Sequence, residues 1–176
     1  MTAKSSFYIR NTEPEDFARV MEIYAHAREF MAAHGNPRQW GITKWPPESL
    51  VREDIATGRG YVCCTEAPSE EIVAVFYFDY GKDIEPTYQK IVEGEWKGSD
   101  TYGVVHRIAA DSGNPLAKGA GSFCINWAFD QCSHLRIDTH GDNVVMQNLL
   151  TKLGFERCGT IYVVEDNDPR FAYEKM

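Results

Sequence analysis

Apolar and polar positions recur along the chain with spacings that predict helices and strands in turn. Apolar residues at helical spacing begin soon after Thr12 and end near His34-Gly35, where glycine allows a left-handed cap. Thr12 and Glu15 match a capping box at the start of this helix. A second helix is expected to begin after Pro46-Pro47 and to end near Thr57-Gly58.

Shorter apolar runs bounded by turn residues predict strands. These runs occupy 7–10, 61–65, 72–80, 104–110, 135–139, 159–165 and 171–174. Two further helices are predicted, one over 119–130 and one from the caps Asp142 and Asn143 to Gly154. The predicted order is β-α-α-β-β-β-α-β-α-β-β.

Residues 81–101 have weak periodicity and many polar side chains, and they are too numerous for a tight hairpin. We expect an inserted loop with one short helix around 88–92. A loop of this length in a compact domain is often a lid or a binding loop. It is equally often a variable surface excursion, and the pattern leaves both interpretations open.

Length and charge narrow the class of protein. A chain of 176 residues suits one domain, spanning 1–176, and 43% hydrophobic with 25% charged residues is typical of a globular fold. The formal net charge of -8 argues against nucleic acid and anionic membranes, which attract clustered Lys and Arg. The acidic surface either attracts a cationic amine or only keeps the protein soluble.

The five cysteines are odd in number and include no C-x-x-C pair, which predicts reduced thiols and no metal site. Residues 1–6 form a short polar stretch without an apolar signal core, and no apolar run is long enough to span a bilayer. We therefore expect a cytoplasmic protein. A homodimer is compatible with the sequence.

A glycine-rich turn carries the clearest chemistry. It comprises Leu116, Ala117, Lys118, Gly119, Ala120, Gly121 and Ser122, follows a predicted strand and opens a predicted helix. Unpaired N–H groups and a partial positive charge at a helix start bind anions, and small residues let a diphosphate approach the main chain. The turn lacks the Gly-Lys-Ser/Thr ending of a P-loop and the third glycine of the dinucleotide fingerprint.

The element order and this turn together resemble the GNAT superfamily of acyl-CoA N-acyltransferases. The family pattern is Gln/Arg-x-x-Gly-x-Gly/Ala, which 116–121 match in spacing and in both small positions, with Leu116 departing at the first. Residues 143–155 also resemble the family's Asn-x-x-Ala-x-x-x-Tyr-x-Lys-x-Gly-Phe. The resemblance covers nearly the whole chain. It implies an α/β (α+β) fold with a mixed, mostly antiparallel sheet of about seven strands, splayed between the fourth and fifth.

The resemblance also implies a cofactor, acetyl-CoA, and the residues that hold it. The backbone of Ile108 and Ala110 would pair with the pantetheine amides, residues 118–122 would hold the pyrophosphate, and Asn143 would reach the pantetheine arm or the thioester end. The full implied cofactor set is Ile108, Ala109, Ala110, Leu116, Ala117, Lys118, Gly119, Ala120, Gly121, Ser122, Asn143, Asn148 and Lys152.

Transfer of an acetyl group to an amine requires proton removal, oxyanion stabilisation and protonation of the leaving thiolate. Many family members place a Tyr acid on the last helix, where this chain has Leu150. Tyr162 and Tyr173 are candidate replacements. His106 is the favoured base because it shares strand parity with Ile108 and Ala110, and because histidine as a residue type is suited to proton transfer near neutral pH.

Other side chains are candidates for the acceptor site. Asp138 and His140 follow the next strand and would serve as second choices for the base or bind the amine. An aromatic wall with an acidic rim would hold a cationic amine, although aromatic residues at such spacing are commonly core. The candidate wall residues are Trp40, Tyr77 and Tyr88, with Phe30 and Trp45.

Three functions are compatible with these observations. The first is an acetyl-CoA-dependent N-acetyltransferase acting on a primary amine of a small molecule or peptide. The second is a CoA-binding module with little or no catalysis, which the leucine at 150 favours. The third is a thiol hydrolase that pairs a cysteine with His106 or His140, although no nucleophile motif surrounds any cysteine. The acceptor amine is beyond the sequence.

Overall fold

The computed structural model of the protein describes residues 6–98 and 101–176. Seven strands form one sheet. Their bounds are β1 Phe7–Asn11, β2 Gly60–Thr65, β3 Ile72–Lys82, β4 Thr101–Ala110, β5 Leu135–His140, β6 Glu156–Tyr162 and β7 Pro169–Lys175. The four α-helices are α1 Phe17–Ala33, α2 Glu48–Ala56, α3 Ala120–Cys132 and α4 Val144–Lys152. The predicted order of strands and helices is confirmed.

The strands lie in the order β1-β2-β3-β4-β5-β7-β6. Antiparallel pairing joins β1 to β2, β2 to β3, β5 to β7 and β6 to β7, whereas β4 and β5 run parallel. The mixed and mostly antiparallel sheet expected from the resemblance is therefore confirmed. The parallel ladder matches Gly103 with Leu135 and Val104 with Arg136, although both strands continue beyond it. This short ladder agrees with a sheet that opens between its fourth and fifth strands.

The chain forms two compact units, and β3, β4 and α3 each contribute to both. The first unit comprises residues up to Tyr77 and Arg107–Trp127. Its core is built where the apolar face of α1 packs on β2 and β3, which removes these side chains from water. The buried core residues of this unit are Val20, Ile23, Tyr24, Ala27, Trp40, Val51, Val62, Cys64, Val75 and Ala109. That residues 1–176 act as a single domain stays a prediction.

The second unit comprises Phe78–His106 and Ala128–Met176. Its sheet consists of β5, β7 and β6 with the first half of β4, and β5 is buried along most of its length. Leu135, Ile137, Leu150 and Ile161 have almost no exposed surface and form its apolar interior. α4 ends at Leu153-Gly154, where Gly154 takes the left-handed conformation predicted for it.

The start of the first helix differs from the prediction. A 3-10 turn over Pro14–Asp16 precedes α1, and the Asp16 carboxylate, not Glu15, accepts the N–H of Glu13 at 2.8 Å. Arg10 holds Asp16 in this position through two hydrogen bonds of 2.6 and 3.0 Å. The buried Thr12 hydroxyl makes no hydrogen bond within the described residues, so the capping box predicted from Thr12 and Glu15 is wrong by one position.

The 81–101 segment is more ordered than a simple loop. β3 continues to Lys82, and the short helix is a 3-10 turn over Pro86–Gln89, not a helix around 88–92. The turn begins early because Glu85 accepts the N–H of Thr87 and Pro86 occupies its first position. Val92 then forms an antiparallel bridge with Thr160 of β6. Residues 99 and 100 lie outside the described residues.

Candidate active site

The glycine-rich turn opens α3 in the first unit. Gly119 has a φ of +89°, a conformation that L side chains rarely adopt, and an added Cβ would meet open space. Asn114 organises the residues before it by accepting the Leu116 N–H on its side chain and the Ala117 N–H on its backbone. These residues therefore form a tight turn immediately before α3.

The N–H groups of this turn divide into two sets. Those of Leu116, Ala117 and Lys118 already donate to Asn114 or Pro115, so they are not available to a ligand. Those of residues 119–122 have no acceptor within the described part of the chain, because the first helical hydrogen bond runs from Phe123 to Gly119. A helix start with several unsatisfied N–H groups fits a diphosphate.

Two side chains of α1 hold the loop that leads into this turn. Arg19 donates to the Asp111 carboxylate at 2.6 Å, and His26 Nδ1 lies 2.9 Å from its other oxygen. Burial disfavours ionisation of Asp111, but the hydrogen bonds from Arg19 and His26 outweigh it and lower its pKa. Asp111 also ends β4 with an N–H bond to the Val73 carbonyl oxygen. The glycine-rich turn is thus fixed to the helix and sheet of its own unit.

β4 has an irregularity at Arg107, whose φ of +52° lies in the left-handed region. A non-glycine residue in this region costs about 1–2 kcal/mol, and it interrupts the extended backbone on which a regular alternation of side chains depends. Strand parity therefore does not carry from His106 to Ile108 and Ala110. The parity argument for His106 as a base therefore lacks the regular strand that it assumed, and the assignment stays a prediction that depends on the contacts of His106 itself.

Three groups of the first unit hold Arg107 in this conformation. Its guanidinium donates to both oxygens of Asp54 with N···O distances of 2.7, 2.9 and 3.1 Å. It also lies over the ring of Tyr77, with 4.6 Å from its central carbon to the ring centroid. The Arg107 carbonyl oxygen accepts the Tyr24 hydroxyl at 2.9 Å. Buried ion pairing and hydrogen bonding thus stabilise a strained backbone next to His106.

His106 belongs to a cluster of titratable side chains in the second unit. Its Nε2 lies 2.8 Å from Glu85 Oε2, and its Nδ1 lies 3.9 Å from Asp138 Oδ1. The Tyr88 hydroxyl donates to the same Asp138 oxygen at 2.6 Å. The 3-10 turn at 86–89 positions both Glu85 and Tyr88, so the inserted segment supplies half of this cluster.

Two members of the cluster, Glu85 and Tyr88, have shifted pKa values. Burial alone would raise the pKa of Glu85, but the hydrogen bond and charge of His106, together with Thr87, hold that pKa below its ordinary value. Burial and the neighbouring Asp138 carboxylate raise the pKa of Tyr88 well above its usual range. Glu85 therefore remains a carboxylate and Tyr88 a neutral donor near neutral pH. This arrangement of a carboxylate on one imidazole nitrogen fixes the ring and its tautomer.

The same face of the second unit carries further polar side chains. Paired residues of β5 and β7 place Arg136 opposite Glu174, Asp138 opposite Ala172 and His140 opposite Arg170. Residues directly opposite each other, and those two apart on a strand, share a face of a sheet. We call the side chains of Arg136, Glu174, Asp138, His140 and Arg170 the polar face. His106, Glu85 and Tyr88 contact it at Asp138.

The structure separates the two tyrosines considered as acids from this cluster. Tyr173 pairs with Ile137 and so lies on the sheet face opposite to Asp138. It is buried, and burial raises its pKa despite the nearby Arg157 charge. Tyr162 is 45% exposed at the end of β6. Leu150, at the usual tyrosine position, is fully buried in α4.

The remaining predicted residues occupy varied environments. Trp40 is buried edge-on against Tyr24 in the core of the first unit, so its packing is explained without a substrate. Tyr77 is half-buried beneath Arg107. Asn143 caps α4 by accepting the Met146 N–H. Asn148 and Lys152 are exposed on that helix.

Two members of these networks were missed by sequence reasoning. Glu85 lies in the segment of weakest periodicity, although Glu85-Pro86-Thr87 is a recognisable turn start. Asp54 reads as an ordinary polar residue of α2, and nothing local links it to Arg107. A third residue, Arg170, is unusual in being a buried arginine in β7.

Several types of site have no counterpart among residues 6–98 and 101–176. No group of three or more His, Cys, Asp or Glu side chains is placed to hold a metal ion. The five cysteines are free. No helix in these ranges combines the length and apolar character needed to cross a bilayer.

Comparisons with known proteins identify the fold. No family model and no curated protein sequence matches the chain. Solved structures match nearly its whole length, among them a GNAT-family acetyltransferase from Streptococcus agalactiae with 26% identity and a TM-score of 0.80, covering 97% of this chain and 95% of that one. A putative acetyltransferase from Staphylococcus aureus has 24% identity, a TM-score of 0.65 and coverage of 95% and 97%.

A plant enzyme with the same fold has been solved with ligands. Arabidopsis thaliana NAA60 in complex with acetyl-CoA matches at 11% identity and a TM-score of 0.65, covering 97% of this chain and 98–99% of the plant chains in two complexes. The second complex contains a bisubstrate analogue. The chain therefore has the fold of the GNAT acetyltransferases, as the resemblance of its motifs implied.

Proposed function

We propose that the protein is an acyltransferase that moves the acetyl group of acetyl-CoA onto a primary amine. The observation that carries the proposal is the turn before α3, where the N–H groups of residues 119–122 have no acceptor among residues 6–98 and 101–176. The match to acetyltransferase structures over nearly the whole chain supports the same conclusion. Neither fact alone would suffice, because one fold can support several functions.

Residues of the first unit would hold the cofactor. The N–H groups of 119–122 would bind the diphosphate, with the exposed Lys118 adding positive charge. Ile108, Ala109 and Ala110 would offer backbone groups of β4 to the pantetheine amides. Leu116 and Ala117 would shape the turn instead of donating, because their N–H groups are already bound. Asn143, Asn148 and Lys152 on α4 are proposed to contact other parts of the cofactor.

The His106 cluster would manage the proton of the amine. When bound, acetyl-CoA supplies an activated thioester. With Glu85 on Nε2, the imidazole presents Nδ1 as the basic nitrogen, and Nδ1 would accept the proton that the ammonium loses. The Glu85 carboxylate would stabilise the resulting imidazolium, as an aspartate does in a Ser-His-Asp triad. Asp138, fixed by Tyr88, would orient the ammonium before it is deprotonated.

Departure of the CoA thiolate does not require a strong general acid from the protein. A free thiol has a pKa of about 8.5, so the thiolate departs without full protonation near neutral pH. The buried leucine at 150 thus removes the usual acid without excluding catalysis. The imidazolium formed on His106 would give its proton to the departing thiolate, which yields the thiol and restores the neutral imidazole.

A CoA-binding module without catalysis is the second candidate, and Leu150 is the observation that favours it. The ordered cluster of Glu85, His106, Asp138 and Tyr88 argues against it, because a binding module has no need of a buried acid–base set.

The thiol hydrolase is disfavoured. Burial raises the pKa of Cys64, Cys124, Cys132 and Cys158, which opposes formation of a thiolate.

Binding of the cofactor is tested by thermal denaturation with and without CoA. A ligand that binds only the folded state raises Tm, because it increases the free energy of unfolding by about 2.7 kcal/mol when its concentration is a hundred times Kd. Gly119→Glu should abolish this stabilisation, because it adds bulk and negative charge at the diphosphate. Gly119→Ala is the matched control, since it carries the same backbone strain at φ +89° without the charge, and it should retain most of the stabilisation. Equal stabilisation of Gly119→Glu and wild type would show that the diphosphate binds elsewhere.

Catalysis is tested by following thiol release from acetyl-CoA with a panel of primary amines. Steady turnover is expected for wild type, with a fall of about 100-fold or more in kcat for His106→Gln, as for loss of a general base. Glu85→Gln should lower kcat less and displace the pH profile, because it removes the charge that favours imidazolium. CoA-dependent stabilisation without turnover for any amine would support the binding module instead.

A further inference from the structure

Arg170 is a buried cation whose donors are incompletely used. The residue is 8% exposed, and neither its Nε nor its Nη1 makes a hydrogen bond within the described chain. Buried guanidinium groups are normally well satisfied, because an unused donor in the interior has lost its water without replacement. The polar face therefore contains an arginine with unused donor capacity.

Asp168 is the nearest carboxylate, and it does not complete the site. Its Oδ2 forms an ion pair with Arg170 Nη1 at 3.1 Å, but the contact does not have the geometry of a hydrogen bond. The same oxygen lies 3.7 Å from His140 Nε2, which is too far for one. His140 Nδ1 accepts the Asp142 N–H at 3.0 Å, so in the neutral ring Nε2 carries the proton. Arg170 Nε and His140 Nε2 are thus both donors without a well-formed partner among the residues that the structure describes.

Arg136, on the same polar face, shows what a satisfied arginine looks like in this protein. It donates Nε to Glu174 at 3.0 Å and Nη2 to the Gly98 carbonyl oxygen at 2.6 Å. Its guanidinium also stacks on the rings of Trp96 and Tyr102. Arg136 and Arg170 have similar burial, so depth alone does not explain the unused donors of Arg170.

We propose that Arg170, with His140, binds a carboxylate of the acceptor, so that the acceptor is an amine that also carries a carboxylate. Arginine recognises a carboxylate through two parallel N–H donors, one of which is Nε when it binds side-on. The inference rests on the proposed function, because it uses Glu85, His106 and Asp138 as the place where the ammonium binds.

The spacing of the two ends limits the acceptor. Asp138 and His140 are two residues apart on β5, which separates their Cα atoms by about 7 Å. Arg170 is paired directly with His140 and belongs to the same end of the polar face. An acceptor spanning the two ends would have its amine and carboxylate separated by several bonds, as in an ω-amino acid or a short peptide.

The first test uses the wild-type enzyme and matched acceptors. β-Alanine, γ-aminobutyrate and ε-aminocaproate are compared with their carboxamides, which keep the amine and lose the negative charge. At least one acid should be used with kcat/KM about 10- to 100-fold above its amide, the range for a charge-assisted hydrogen-bonded pair. With CoA present, the same acid should raise Tm and its amide should not. Equal use of acids and amides would overturn the inference while leaving the acetyltransferase proposal intact.

The second test moves the preference by mutation. Arg170→Met keeps about the volume of the side chain and should bring the ratio of kcat/KM for the acid to that for its amide down to about one. Arg157→Met is the control, because Arg157 is an exposed arginine of β6 paired with Tyr173 on the opposite face. Unchanged acid preference in Arg170→Met would show that Arg170 only pairs with Asp168. If no acceptor releases thiol and CoA does not stabilise the protein, the proposed function itself fails.

Discussion

Replacement of Asp54 by asparagine tests whether the ion pair with Arg107 holds the strained residue of β4. Both side chains are largely buried, at 9% and 13% exposed, and three N···O contacts of 2.7–3.1 Å join them. The asparagine keeps the shape of the aspartate but leaves the Arg107 cation uncompensated in a poorly solvated position. Removing one partner of a buried ion pair costs about 3–5 kcal/mol. We expect a loss near the lower limit, because the asparagine carbonyl and the Tyr77 ring still contact the guanidinium.

The assay is thermal and urea denaturation followed by circular dichroism. A loss of about 3 kcal/mol corresponds to a fall in Tm of about 6–12 °C for a domain of this size. Glu48→Gln is the matched control on the same helix, because Glu48 and Arg52 are 3.9 Å apart and their side chains are 69% and 62% exposed. Such a surface pair contributes less than about 0.5 kcal/mol. Equal Tm shifts for the two variants would refute the argument that the ion pair stabilises the left-handed conformation of Arg107.

Three further results are expected. Glu174→Gln should lower the free energy of unfolding by about 3 kcal/mol at neutral pH, because it leaves Arg136 without its ion-pair partner. Burial alone would raise the pKa of Glu174, but His134, the Lys97 N–H and Arg136 lower it. The stability that the Glu174 carboxylate contributes is therefore lost only as pH falls through that lowered pKa. Urea denaturation from pH 7 downward should therefore show the two proteins converging in acid, and a constant difference would contradict this. Tyr24→Phe should cost about 1–2 kcal/mol by leaving the Arg107 carbonyl oxygen without its donor, whereas no change in urea midpoint would mean that another group replaces the hydroxyl. Cys132, the cysteine that is not buried, should react first with a thiol reagent, and Cys132→Ser should remove this fast phase.

The sequence predicted the features that depend on neighbouring residues. The end of α1 follows from the periodic apolar residues and the glycine at 35, which takes a φ of +82°. The turn before α3 was recognised because its glycines and its place between a strand and a helix are local properties. The order of elements follows in the same way, since each run of apolar residues reports its own backbone period.

Contacts between distant parts of the chain were not predictable in this way. Glu85 and His106 are 21 residues apart, and Asp54 and Arg107 are 53 apart. The left-handed residue at 107 depends on these distant partners, so an unbroken strand was the natural expectation from the local pattern. This single residue interrupts the regular strand that the parity argument for His106 assumed, although β4 continues on both sides of it.

Two departures from the family pattern, at positions 116 and 150, are compatible with the proposed chemistry. Leu116 replaces the usual Gln or Arg at a position whose N–H is already bound by Asn114, whereas the N–H groups proposed for the diphosphate begin at Gly119. A main-chain anion site tolerates this change because backbone donors do not depend on side-chain identity. Leu150 replaces a tyrosine with a fully buried apolar side chain, so packing is kept and only an acid is lost. The titratable groups of His106, Glu85 and Asp138 remain on β4, β5 and the inserted segment. The proton chemistry of this chain would therefore depend on the segment 81–98, where the family motifs give no guidance.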